Sequence, residues 1–117
     1  MKANSLPHLT PNDRTAVSEY IECVQERFPD RVLAVTLFGS KARGDADAHS
    51  DIDLLLISSR ELYWKDEKAV VEALFDIGMD YDVIFSPLFV SSEEWEGALF
   101  KKSPIYKEII RDGAIVA

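Results

Sequence analysis

Cysteine is nearly missing. Cys23 is the only one among 117 residues, so the chain can build neither an internal disulfide nor a cysteine zinc site, which fits a reducing, cytoplasmic setting. Long apolar runs are missing too, and none approaches the roughly 20 residues of a membrane-spanning helix. The amino terminus, MKANSLPHLT, lacks the apolar stretch of a signal peptide. Positive charge is scarce: 13 basic against 21 acidic side chains leave a net charge of −8. A non-specific nucleic-acid or anionic-membrane binder needs the opposite sign, so both classes are disfavoured; Lys101-Lys102 is too short a basic patch to change that. What remains is ordinary for a globular protein, with 47% hydrophobic and 29% charged residues, which argues against disorder. The length fits one domain with a real core, too small to include a large substrate-recognition domain. We expect a flexible arm over residues 1–9 and a single domain over 10–117.

Along the chain, Thr10-Pro11 reads as an N-cap followed by the first helical position, and Asp13 suits the positive helix start. Val17, Tyr20, Ile21, Val24 and Phe28 recur at helical spacing up to Pro29. Cys23 borders that stripe and reads as a packing residue. Residues 32–38 form a short apolar run rich in β-branched side chains and stopped by Gly39, a strand covered on both faces. Residues 39–50 are a polar loop with room for one helical turn, and Ile52 to Ile57 is a second buried strand. A helix follows from about Glu61 to Ile77, with Gly78 closing it, then a third strand from Asp80 to Phe85 ended by Ser86-Pro87. Ser91 and Glu94 have capping-box spacing for another helix; Ser103-Pro104 opens the last helix and Gly113 ends it. This order predicts an α/β (α+β) fold, a small sheet packed with helices.

Two segments carry chemistry. Asp51 and Asp53 flank Ile52 at the start of a strand, where residues i and i+2 share a face about 6.6–6.8 Å apart in rise. Two carboxylates facing one way repel unless a cation lies between them, and their oxygens suit a hard divalent ion such as Mg²⁺. The plainer alternative is that Asp51 caps the loop and Asp53 bonds to the backbone. Gly39-Ser40, directly after a buried strand, allows a tight turn and close approach of a ligand; a short following helix would aim its amides at a phosphate, with Arg43 one turn on. That segment also reads as a simple strand-to-helix turn, with Arg43 in solvent. Asp82 puts a charge inside the apolar run Tyr81-Asp82-Val83-Ile84-Phe85, a costly place without a partner. If this strand neighbours the second, Asp82 can join Asp51 and Asp53 around two metals; Asp80 is a rival on the same face. His49 is read as a solvated loop histidine, Asp45 and Asp47 as solvated loop carboxylates.

Gly39-Ser40, ten residues, then Asp51-Ile52-Asp53 with Leu54-Leu55-Leu56 behind it resembles the signature of the DNA polymerase β-type nucleotidyltransferase superfamily. The GSKARG and SDIDLLL forms on a short chain resemble its minimal nucleotidyltransferase (MNT) branch. The resemblance implies a polymerase β-like core with a mixed sheet, and transfer of a nucleoside monophosphate to a hydroxyl with release of pyrophosphate. Carried over by position, Gly39 and Ser40 would hold the β- and γ-phosphates of ATP with help from Arg43. Asp51 and Asp53 would bind two Mg²⁺ ions, and Asp82 the one that activates the acceptor. Members of this branch are commonly paired with a helical HEPN protein in toxin–antitoxin modules, some adding AMP to a tyrosine of the partner. An antitoxin that modifies a HEPN partner is therefore the leading expectation, with a homodimer or hetero-oligomer left open. Two alternatives stand beside it, an antitoxin acting by occlusion and an enzyme acting on a small hydroxylated molecule such as an antibiotic. Trp64, Trp95 and Phe100 either offer contact area to a partner or lie at the core margin.

Overall fold

The computed structural model describes residues 8–47 and 49–117. The elements run α1 (Pro11–Arg27), β1 (Val32–Phe38), α2 (Ser40–Arg43), β2 (Ile52–Ser58), α3 (Trp64–Tyr81), β3 (Phe85–Ser91), α4 (Ser92–Glu96), α5 (Ala98–Lys101), α6 (Pro104–Asp112) and β4 (Ala114–Ile115). The sheet order is β3-β2-β1-β4. β1 lies antiparallel to β2 and β4, and β2 lies parallel to β3. The expected α/β architecture with a mixed sheet is what the chain adopts.

Side-chain alternation divides the core into two layers. Val35 and Leu37 of β1 and Ile52, Leu54 and Leu56 of β2 face α1 and α3, where they meet Val17, Tyr20, Val24, Val70 and Leu74. Phe38, Leu55 and Val90 face the other way, onto Ile109 of α6, with Trp95 and Phe100 packed at the margin. Those two aromatic residues and Tyr106 form a ring cluster with centroids 4.9–5.9 Å apart, whereas Trp64 is largely exposed. Both strands are therefore covered on both faces, as their near-continuous apolar sequences require. Tyr20 is fully buried, its ring 5.2 Å from that of Phe85. Its hydroxyl has no hydrogen-bond partner among the described residues, and burial pushes its pKa above the ordinary phenol value.

The helix starts follow their capping chemistry. Thr10 Oγ1 accepts from the Asp13 N–H at 3.0 Å while Asp13 Oδ2 accepts from the Thr10 N–H at 3.2 Å, a reciprocal box. Ser91 and Glu94 repeat it at α4, and Ser103 caps α6 with Pro104 in its first turn.

Several expectations need correction. Of the arm expected over residues 1–9, positions 1–7 lie outside the described residues, but Leu9 belongs to the core, so packing begins before Thr10. The third helix does not end at Gly78. It continues to Tyr81, and Gly78 instead makes room for the returning chain: a Cβ there would stand 2.5 Å from the Val83 carbonyl oxygen. The third strand is not Asp80–Phe85 but Phe85–Ser91, which contains Pro87. Proline removes a ladder donor, yet β3 is an edge strand, where that loss is tolerated. β4, two residues long, was not anticipated; it pairs with Thr36 and Leu37. Among the described residues no helix is long and apolar enough to cross a membrane.

Candidate active site

The first strand delivers its chain to a sharp turn. Phe38 pairs with Asp53 across the β1–β2 ladder, so Gly39, one residue on, emerges beside the Asp53 side chain. Gly39 has φ +74°, a left-handed conformation that L side chains rarely adopt. A Cβ at Gly39 would also run into the Asp53 carboxylate. Two separate requirements therefore select glycine: the backbone angle and the carboxylate resting on it. Ser40 then starts α2, which ends after one turn at Gly44, also left-handed at φ +87°.

Lys41 in this loop is a residue that sequence reasoning missed. Its Nζ lies 3.0 Å from Asp13 Oδ2, and the two side chains are only 10% and 5% exposed. The lysine turns away from the aspartate pair and ties α2 to the capping box of α1. A lone cation between small residues was its only signal in the sequence.

Asp51 immediately precedes β2 and Asp53 is its second residue, with Leu55 and Ile57 continuing the same face. Burial first, and then the neighbouring Asp51 charge, push the Asp53 pKa above the ordinary carboxylate range; Glu108 adds to this and Arg43 opposes it. Asp51 has a partner in Ser86, whose Oγ donates to Asp51 Oδ2 at 2.6 Å. The loop before the pair is shaped by Asp47, whose carboxylate accepts from the His49 N–H at 2.8 Å and from Ser50 Oγ at 3.3 Å. These bonds to the ionised form, the His49 amide first, hold the Asp47 pKa low. His49 itself is exposed.

Arg43 is committed elsewhere in this conformation. Its Nε lies 3.1 Å from Asp45, and one terminal nitrogen lies 3.0 Å from Glu108 and 3.9 Å from Asp112. It bridges the loop to α6, and its charge reaches Asp53 without a direct bond.

Asp82 is not where the sequence suggested. It is the C-cap of α3, with φ 54°, the left-handed position in which aspartate is among the better-tolerated residues. Asp80 lies within the same helix. Neither stands on β3, whose residues from Phe85 to Ser91 include no carboxylate. Among the described residues no group of three histidine, cysteine or acidic side chains is placed to hold a metal. The structure thus brings together Gly39, Ser40, Asp51 and Asp53, and leaves Asp82 at the end of a helix. Asp82 instead lines an open cleft of about 720 Å³ together with His49, Phe75, Met79, Ile84 and Pro87. Phe75, Met79 and Ile84 are 68%, 69% and 64% exposed.

The donor set of the pair fits a divalent cation. Two carboxylates face one way, the Asp51 charge adds to the cost of ionising Asp53, and the glycine turn lets the Asp53 carboxylate lie where a Cβ would stand.

A match to the nucleotidyltransferase domain spans residues 17–112, from the first helix through the last. The chain belongs to the nucleotidyltransferase domain family. This nucleotidyltransferase is 26% identical over 108 residues to a candidate protein adenylyltransferase of Methanocaldococcus jannaschii, covering 90% of this chain and 98% of that one. A second candidate protein adenylyltransferase of the same organism is 29% identical over 72 residues, 62% of this chain and 73% of the other. Solved structures share the fold. A toxin–antitoxin complex containing MntA superposes with a TM-score of 0.59 at 14% identity, covering 86% of this chain and 71% of the other. A toxin–antitoxin structure with AMP-PNP gives 0.58 at 16% identity, covering 92% and 73%. A nucleotidyltransferase-type structure from Sulfolobus solfataricus gives 0.56 at 23% identity, covering 86% and 76%. The expected nucleotidyltransferase is therefore the family to which the chain belongs.

Proposed function

We propose that this nucleotidyltransferase transfers AMP from ATP to a hydroxyl of a protein partner, as the antitoxin of a HEPN/MNT toxin–antitoxin pair. One observation carries the reading: the Asp53 carboxylate rests on the left-handed Gly39, on the strand face it shares with Asp51, while Ser50, next to Asp51, lines an open apolar cleft. The names of its relatives and the toxin–antitoxin complexes among its structural neighbours support the choice of a protein acceptor.

In this reading Gly39 and Ser40 bind the β- and γ-phosphates at the start of α2. Asp51 and Asp53 hold Mg²⁺, which neutralises developing charge on the phosphates when bound. The acceptor oxygen forms a bond to the α-phosphorus as the α–β phosphoanhydride bond breaks. Pyrophosphate leaves with that electron pair, and the acceptor proton passes to solvent. Asp51 and Asp53 position the triphosphate rather than react with it. Arg43 reaches the phosphates only by releasing Glu108 or Asp45. The apolar cleft receives the segment that carries the acceptor hydroxyl.

The test is label transfer in host extract from ATP radiolabelled at its α-phosphate, with the wild type against Asp51→Asn/Asp53→Asn. A protein band labelled by the wild type alone is the expected result. Labelling by the double mutant would remove the proposed role of the pair. A second reading, neutralisation by occlusion, draws on the exposed Phe75, Met79 and Ile84 around the cleft. It predicts toxin neutralisation unaffected by the double substitution.

A further inference from the structure

We propose that Ser86 stands where a two-metal site would need a third carboxylate. In this proposal the active centre holds a single divalent ion, and Ser86 positions Asp51 for it. The inference rests on the reading of Asp51 and Asp53 as the metal-binding pair. Its starting point is the ladder between β2 and β3. The two strands run parallel, and Asp53 is paired with Ser86. Alternation places Ser86 on the same sheet face as Leu88 and Val90, the face shared by Asp53 and Leu55. Ser86 is thus the residue that the neighbouring strand offers to the aspartate pair, and its hydroxyl is already engaged there, donating to Asp51 Oδ2 at 2.6 Å.

No other acid substitutes for it. β3 contains no carboxylate, and Asp82 is the C-cap of α3. The charge of Glu108 reaches Asp53, but its carboxylate is engaged with Arg43 at 3.0 Å. A serine hydroxyl brings no negative charge. With the triphosphate, two carboxylates suffice to ligate one divalent cation; a second ion about 3.5–4 Å away on the acceptor side would lack the third carboxylate ligand, since β3 offers a hydroxyl in its place. A hydroxyl bonded to one oxygen of a ligating carboxylate does have a use: it fixes the orientation of the other oxygen, as outer-shell partners of metal ligands do. Pro87, next in sequence, locks its own φ and restricts the backbone of Ser86 to the extended region, which keeps Ser86 in strand geometry while its hydroxyl bonds to Asp51.

The experiment counts Mn²⁺ by electron paramagnetic resonance on the full chain in complex with α,β-methylene-ATP. It compares the wild type, Ser86→Asp, Ser86→Ala and Ser86→Thr. The wild type should hold one tight Mn²⁺ per complex with an uncoupled spectrum, and S86D a second ion with the spin-coupled signal of a metal pair. S86A should keep one ion but bind it roughly tenfold more weakly, the lower end of the effect of losing an outer-shell partner. S86T, which retains the hydroxyl, should restore the affinity. A spin-coupled pair in the wild type, or a single ion in folded S86D, overturns the single-metal assignment while leaving the aspartate pair in place. Equal Mn²⁺ affinity in S86A and the wild type overturns the positioning role, and this comparison decides that part even if S86D does not fold. A wild type whose nucleotide complex holds Mn²⁺ no better than D51N/D53N overturns the metal-binding reading of the pair, and this inference with it.

Discussion

The two sides of the aspartate pair are built differently. On the β1–α2 side two positions are tightly constrained. Gly39 is fixed by its backbone angle and by the Asp53 carboxylate against it, and Lys41 is sealed into an ion pair with Asp13. The β3 side consists of an edge strand with a proline, a helix ended by a left-handed aspartate, and a cleft rimmed by exposed Phe75, Met79 and Ile84. The difference teaches where precision is needed. The side on which we place the triphosphate must present backbone amides at fixed positions, which only a rigid turn achieves. The side on which we place the acceptor needs apolar area and access, which a partner can complete.

Substitutions can break or sharpen this contrast. The largest effect should come from Lys41→Ala, which leaves Asp13 buried without its cation. Truncating one partner of a buried pair costs about 3–5 kcal/mol, read by urea unfolding, and the loss should show on the rigid side although Lys41 is not itself proposed to touch nucleotide. Gly39→Ala comes next. The left-handed backbone alone costs roughly 1–2 kcal/mol, and the clash with Asp53 should abolish nucleotide binding in calorimetry even where the fold survives. A variant that binds ATP normally would show that the turn is not the rigid element we describe.

The third prediction concerns pH. The pKa of Asp53 is raised in the folded chain, by burial first and then by Asp51. Its ionisation is therefore unfavourable to the metal-free fold. The sign follows from linkage: as pH falls through the raised folded value toward the ordinary one, the folded state takes up the proton first, and the metal-free protein gains stability relative to Asp53→Asn. Thermal melts in chelator between neutral pH and the carboxylate range should show this gain in the wild type and lose it in D53N. Adding Mg²⁺ at neutral pH should raise Tm in the wild type only. The smallest effect belongs to the open side. Asp82→Gly relieves a left-handed non-glycine residue and should be neutral or stabilise by up to about 1 kcal/mol. It should also leave label transfer within a fewfold of the wild type. Loss of transfer in D82G would return Asp82 to the catalytic role that its sequence context first suggested.

This last case shows where the sequence was legible and where it was not. The start of α1 at Pro11, the extent of β1 over residues 32–38 and the capping boxes at Thr10 and Ser91 are set by neighbours within four residues, so local patterns expose them. The Gly39-Ser40 turn and the Asp51-x-Asp53 spacing are local as well, and the structure brings these residues together. Tyr81 to Phe85 reads as a short apolar strand holding one charge, but α3 runs to Tyr81, and Gly78 lets the chain fold back closely over it. Pro87 looks like a strand terminator until the sheet order shows that β3 is an edge. Ser86 carried no signal, since a serine beside a proline in a presumed turn is unremarkable.

By itself, then, the sequence determined a mixed α/β domain of the nucleotidyltransferase family with a glycine–serine turn and an aspartate pair. The turn, the pair and the elements that carry them are set by residues close along the chain. Only the tertiary structure decided that Lys41 belongs to the core and Arg43 to α6, that Asp82 caps a helix, and that the neighbouring strand offers the pair a hydroxyl. Those outcomes depend on which strands become neighbours and in what register, and a parallel pairing across an intervening helix is fixed by packing rather than by any local pattern.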